Sequence, residues 1–348
     1  MANLTQASKE LFSREPDERC ESLQDLWQRC QTKKNSSHDR WEPPDKIRTV
    51  NEERLVNDGG NLRFIAGNDG YWLNDWSFSQ LCRMAGVAKD TVNRLSPDTA
   101  NRVFQETLPR GGKKPLQLFI EDDTVRSIHG TQYTRLWDVD LINVVREFAV
   151  DFQPPQKGFN GATGLYLGEQ DMFCFLIDPN GWTEINGEAF APGFFLWNSE
   201  VGRRSLGIST FWFQAVCANH IVWDATEVTD FSRKHTANVH DGLREIKRII
   251  EGLVEKRDAR KDGFAKVIQK AMGEVLGADQ EEVLKLLQKQ GIGRAVAKKA
   301  TELAAEQGRL TIFSIVDALT RMAREHSNAG DRIDADQAAA SLLELVNA

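Results

Sequence analysis

Residues 194–223 read FFLWNSEVGRRSLGISTFWFQAVCANHIVW. Two apolar runs rich in Phe, Trp, Ile and Val flank a polar interruption, Asn198-Ser-Glu-Val-Gly-Arg-Arg204. Aromatic and β-branched residues at this density suit a pleated, buried surface. A Gly-containing polar break between two such runs marks a turn. The stretch predicts core strands joined by a structural turn whose amide and hydroxyl hold the chain. It also brings a thiol, an amide and an imidazole close together at Cys217, Asn219 and His220.

Outward from this stretch, residues 115–230 favour strands. Apolar or alternating runs at 116–120, 125–128, 172–177 and 206–213 are separated by Asn160-Gly161, Asp178-Pro-Asn-Gly181 and Asn186-Gly187. Residues 138–148 interrupt them with helical spacing. Upstream, residues 22–33 predict a helix and residues 35–44 a linker. The run at 62–66 sits between Gly-rich turns, residues 77–95 read as two short helices, and Ser96-Pro-Asp-Thr99 caps a third through residue 107. Beyond Asn238 the period becomes 3.6, beginning with Leu243, Ile246, Ile249, Ile250 and Leu253. Helices follow at 283–290, 295–306, 312–325 and 335–346. The expected fold is α+β, with a mostly antiparallel central sheet and flanking helices. Residues 1–60 form a helical N-terminal arm and linker, 61–237 the core, and 238–348 a helical C-terminal region.

The 348 residues are 41% hydrophobic with nine Trp, ample for a buried core. A net charge of −7 argues against an indiscriminate polyanion binder. Five scattered cysteines are no disulfide framework and fit a reducing cytoplasm. No leader pattern opens the sequence, and no apolar run reaches the length of a membrane span. A soluble cytoplasmic protein with no membrane partner and no cofactor is expected.

Several motifs carry two readings each. Residues 79–95 have the layout of a helix-turn-helix with Gly86 at the turn, which would aim Lys89, Asn93 and Arg94 at DNA; the same pattern suits a buried helical hairpin. Gly291-Ile-Gly293 before Arg294, Lys298 and Lys299 resembles a helix-hairpin-helix phosphate site, or a plain turn before a solvated basic face. Cys217, His220, His235 and His240 have the residue types of a zinc site, although strand geometry turns neighbouring side chains apart. Arg203-Arg204, Lys113-Lys114 and Arg233-Lys234-His235 are basic groups, and residues 233–270 are net positive by about five. That asymmetry marks a nucleic-acid face or a helix whose cations pair with Glu245, Glu251, Glu255 and Asp258. Glu121-Asp-Asp123, Asp138 and Asp140 could bind a hard cation or serve a loop and a helix N-terminus. Catalytic signatures such as a nucleophile elbow, a Walker loop or a metalloprotease helix are absent from the sequence.

Four segments resemble one family. They are Arg126-Ser-Ile-His-Gly-Thr-Gln-Tyr133 before an Asp-led helix, Asn198-Ser-Glu-Val-Gly202, and Val216-Cys-Ala-Asn219 followed by Arg233-Lys-His-Thr236. The tail, Ser314-Ile-Val-Asp-Ala-Leu-Thr-Arg321 with residues 338–345, is similar to that of longer members. The family is the phage- and plasmid-associated one catalogued as domain of unknown function 932, and the resemblance covers about residues 60–348. His220 stands where the family pattern has Gly, a position that suggests a backbone with positive φ. The resemblance implies work on mobile elements, beside DNA replication, recombination or defence, and no established reaction.

The expected function is a DNA-associated, non-catalytic protein, homo-oligomeric and favouring single-stranded DNA. Arg203, Arg204, Arg233, Lys234 and His235 form its rim, and Trp72, Trp76, Phe211, Trp212 and Trp223 are candidates for base stacking. The alternatives are a protein-binding module that docks a partner through the C-terminal helices, or an enzyme using Cys217 and His220.

Overall fold

The computed structural model describes residues 14–52, 61–109, 111–112, 114–155, 161–216, 219–223, 229–306, 308–325 and 342, with backbone alone for 52, 61, 215–216, 219–223, 230, 320 and 323–325. Cys217, Lys113 and nearly all of the expected helix at 335–346 lie outside the described residues, as does the side chain of Trp223.

A strap at residues 14–20 leads into α1 (Leu23–Asn35), where the Ser22 hydroxyl accepts from the Asp25 N–H and starts the helix. Next come β1 (Ser37–Glu42) and β2 (Ile47–Glu52), so residues 35–44 are no linker. β1 pairs in full register with β5 (Leu116–Glu121), from Ser37↔Glu121 to Glu42↔Leu116. Its reading as a linker failed because an edge strand shows water a polar, half-exposed face.

The strands β1, β5, β6 (Thr124–His129), β4 (Asp69–Leu73), β3 (Asn61–Ala66) and β2 neighbour one another in that order, all antiparallel except the β4–β6 pair. β1 and β2 stand at opposite edges, yet only Pro43, Pro44, Asp45 and Lys46 join them. That link reaches about 18 Å at most, whereas a flat six-stranded sheet is about 24 Å wide. The sheet must therefore curl. Arg40 on β1 reaches β4 across the gap, with Nη1 2.6 Å from Asp69 Oδ2 and 2.8 Å from the Tyr71 hydroxyl. Inside the curl lie α2 (Asp75–Met84), α3 (Lys89–Val92) and α4 (Pro97–Thr107), with Leu81, Cys82 and Phe104 packed on Phe64, Leu118 and Val125.

The second sheet holds β7 (Leu165–Leu167), β8 (Met172–Ile177), β9 (Thr183–Ile185), β10 (Glu188–Asn198), β11 (Leu206–Val216), β12 (Asn219–Trp223) and β13 (Asp230–Arg233). β10 and β11 are its antiparallel spine, with Phe190↔Gln214 through Trp197↔Gly207 in register. Alternation splits their side chains between faces. Phe194, Leu196, Leu206 and Ile208 pack with α1, α5 (Asp138–Phe148) and α6 (Asp241–Glu255). Phe195, Trp197, Phe211 and Phe213 pack with Phe173 and Phe175 on the other side.

Helices α7 (Arg257–Gly273), α8 (Gln280–Lys289), α9 (Arg294–Glu306) and α10 (Ile312–Glu325) bury their own core, which takes in Phe190 and Trp212 of the second sheet. The architecture is α+β, its strands divided between two mostly antiparallel sheets. Among the described residues no helix is long and apolar enough to cross a membrane.

Candidate functional site

The turn between β10 and β11 is fastened at every residue. Asn198 Nδ2 donates to Asp138 Oδ1 at 2.7 Å and to the Leu136 carbonyl at 3.0 Å. Ser199 Oγ donates to the Gln170 carbonyl at 2.5 Å and accepts from the Arg203 N–H at 3.0 Å. Trp137 offers no side-chain cap to α5, and Glu200 supplies it from the turn, with Oε1 accepting the Asp138 N–H at 2.9 Å. The Glu200 carbonyl accepts from the Tyr133 hydroxyl at 2.8 Å and from Arg135 Nη1. Trp76 Nε1 donates to the Val201 carbonyl at 3.0 Å. Gly202 adopts φ +71°, and a Cβ there would lie 2.8 Å from His129 Cε1, so only glycine fits.

Beneath the turn is a buried ionic network. Arg126 Nη1 lies 3.2 Å from Glu121 Oε2 and 3.7 Å from Glu200 Oε2. Arg135 Nη2 lies 2.6 Å from Asp39 Oδ1, and its guanidinium sits 3.5 Å over the Phe119 ring. Burial, followed by the neighbouring Glu200 carboxylate, raises the Asp138 carboxyl well above its usual range. Burial also raises Glu200. Two carboxylates this close in low dielectric resist ionising together.

Above the network three rings stack. His129 and Tyr133 are 3.7 Å apart at 7°, and Tyr133 and His235 are 5.5 Å apart at 24°. Burial, then the Arg135 charge, pushes His129 down to about 3. Burial first, with Arg135 again opposing protonation, pushes His235 down to about 4. The Thr134 and Arg204 backbones bond the His235 ring and oppose that shift. Both imidazoles are thus neutral structural rings. The stack brings residues 234–235 to the turn, an approach reinforced by the Thr134 N–H donating to the His235 carbonyl at 3.1 Å.

The family model described as "Domain of unknown function (DUF932)" matches residues 127–331. The chain belongs to this family. No curated protein and no solved structure matches it. In this DUF932 chain the match takes in the fastened turn, the ring stack and most of the C-terminal helices, and leaves the strap, α1 and most of the curled sheet outside.

Arg203 and Lys234 are exposed on the rim of the turn. Arg204 is held by the buried carboxylate of Asp171 at 2.5 Å, which also takes Arg14 at 2.6 Å. Arg233 donates to the Asn238 carbonyl at 3.0 Å. His235 is buried, so it leaves the rim and becomes part of its support. Lys89 pairs with Asp75, next to the Trp76 that anchors the turn. α3 has only four residues, so Asn93 and Arg94 follow a single turn and no groove-entering helix forms. Gly86, at φ +69°, does make the tight turn.

Lys114 is exposed in the segment before β5, and Arg294, Lys298 and Lys299 are exposed on α9 behind Gly291 at φ +84°. They lie on elements separate from the turn. On α6, Arg244 pairs with Asp241, Arg248 with Glu245 and Lys247 with Glu251, the solvated-face alternative for that helix. Phe211 and Trp212 are each 1% exposed and cannot stack on bases. Trp72 and Trp76 are half-buried.

Of the zinc set, Cys217 and the side chain of His220 lie outside the described residues, while His235 is buried and His240 exposed; among the described residues no three His, Cys, Asp or Glu groups converge. Glu121 pairs with Arg126, and Asp138 occupies the first turn of α5. His220 sits in β12 opposite Ala215, in strand conformation, so its position needs no positive φ. Sequence reasoning missed Arg135, Asp39 and Lys33 as parts of one ionic cluster that runs from buried Arg135 out to exposed Asp39. Single charges in polar stretches give no local sign that they will meet.

Proposed function

We propose that this is a DNA-associated protein of a mobile genetic element, working in the host cytoplasm by binding rather than by catalysis, as a homo-oligomer that favours single strands. One observation carries the reading. Arg203 and Lys234 reach solvent from two separate segments joined through the Gly202–Tyr133–His235 contacts. Cations on a rigid backbone bind phosphates without the ordering cost of a mobile loop. Arg204 and Arg233 support the rim from paired positions, and Lys114, Arg294, Lys298 and Lys299 extend the basic surface elsewhere. The test is a gel shift with single- and double-stranded DNA across salt, beside native mass. The reading expects tighter binding to single strands that weakens steeply with salt; no binding to either form would end it.

A second reading, a protein-binding module, draws on the net charge of −7. In that case a partner would dock on the C-terminal helices, and DNA would bind weakly or not at all.

A further inference from the structure

An open cleft of about 570 Å³ lies between the strap, the β5–β6 hairpin and the β7–β8 turn. Lys33, Arg29 and Arg126 line it together with the acids of its rim, among them Asp122, Asp123 and Glu169. We propose that Lys33 is a nucleophilic amine that captures a small uncharged or cationic carbonyl compound in this cleft as a reversible Schiff base. The inference stands apart from the DNA reading and uses none of its residues.

Lys33 differs from its neighbour Lys34, whose ammonium is ion-paired to Asp140 at 2.9 Å. Lys33 Nζ instead donates to a neutral acceptor, the Gly168 carbonyl, at 2.9 Å. An uncharged amine keeps that bond and still has its lone pair. The charges facing Lys33 are Arg126 from β6, Glu121 from β5, and Asp138 and Glu200 from below, with Arg29 one turn earlier on α1. Burial comes first, and the Arg126 guanidinium second, in holding the Lys33 ammonium below the usual lysine range against the opposing carboxyls of Glu121, Asp138 and Glu200. A desolvated lysine beside another cation is the arrangement that activates an amine for Schiff-base chemistry. Exposed Asp122, Asp123 and Glu169 repel anions from the entrance and favour uncharged or cationic carbonyls.

The step balances without an oxidant or reductant. The Nζ lone pair bonds to the carbonyl carbon, and the carbonyl oxygen leaves as water with the two amine hydrogens. The remaining C=N bond is cleaved again by water.

The intact protein is treated at pH 7 with acetaldehyde and sodium cyanoborohydride, which fixes each imine as an ethylamine. Peptide mass spectrometry then follows every lysine. Lys33 is expected to react several-fold faster than exposed Lys298, because its amine is more often unprotonated. The advantage should vanish near pH 10, where exposed lysines also lose their protons. With glyoxylate, an anionic aldehyde, the advantage at pH 7 should shrink. Labelling of Lys33 no faster than Lys298 at pH 7 overturns the proposal. An equal advantage with glyoxylate overturns the assignment of ligand class.

Discussion

At the scale of single residues, His235 is the informative case. It is 7% exposed and stacked on Tyr133. Its folded pKa is pushed down to about 4, so the folded ring stays neutral while the unfolded ring takes a proton below about 6.5. Its contribution is full above pH 6.5 and drains as pH falls toward 4, by up to about 1.4 kcal/mol per pH unit. Asp138 and Glu200 act oppositely, because carboxyls with raised pKa lose stability as pH rises through their folded values. His235→Phe isolates the histidine. It keeps a stacking ring and removes the ionisable group, so urea unfolding should show a shallower loss of stability from pH 7 toward pH 4 than in the parent. On the rim, Arg203→Ala with Lys234→Ala should flatten the logarithmic salt dependence of single-strand binding by about 0.7 per lost phosphate contact. An unchanged slope in the gel shift would remove both residues from the interface.

At the scale of elements, the β10–β11 pair rests on glycines as much as on aromatic rings. Trp197 lies across Gly207 of the paired strand, where an added Cβ would meet its Cζ2 at 2.1 Å. Gly207→Ala must displace the indole from a packed face, at about 1–3 kcal/mol; chemical denaturation that finds no loss would show that the ring has room to move. The apolar half of this pairing was legible in the sequence, because runs such as FFLW and FWF have no polar face to offer water. The cap at Ser96 was legible because it is a local bond between a hydroxyl and an N–H three residues on. β1 was not, because its partner β5 is about eighty residues away and its half-exposed side chains carry no apolar signal. The candidate site divides the same way. Asn198, Ser199 and Gly202 announced a turn, whereas Asp39, Arg126, Arg135 and Lys33 meet only after both sheets form. Arg204 looked free in sequence because Asp171, which holds it, lies on the turn between β7 and β8.

At the scale of the whole molecule, the question is whether the C-terminal helices are an appendage or part of one cooperative unit. Their contacts with the second sheet decide it. Trp212 of β11 stacks on Phe264 of α7 at 4.0 Å and 7°, Phe190 of β10 meets the same ring at 5.1 Å, and Arg257 at the start of α7 pairs with buried Asp178. Helices α8–α10 pack on α7 in a core of their own. Among the described residues the bundle is tied to the sheet through the Trp212–Phe264–Phe190 clamp, the Phe190–Phe313 contact, the Asn186–Met272 hydrogen bond and the Arg257–Asp178 ion pair. Phe264→Ala removes the clamp and leaves the bundle interior mostly intact. The expected cost is about 3–5 kcal/mol, and its form in calorimetry tells more than its size. The parent should unfold in a single transition, because burial of Trp212 and Phe190 requires both parts to be folded. In the variant that coupling is weakened to the remaining Phe313, Met272 and Arg257 contacts, so the heat-capacity peak should broaden. Two transitions already present in the parent would show that the helices are thermodynamically independent of the core, and that the clamp is a contact without coupling.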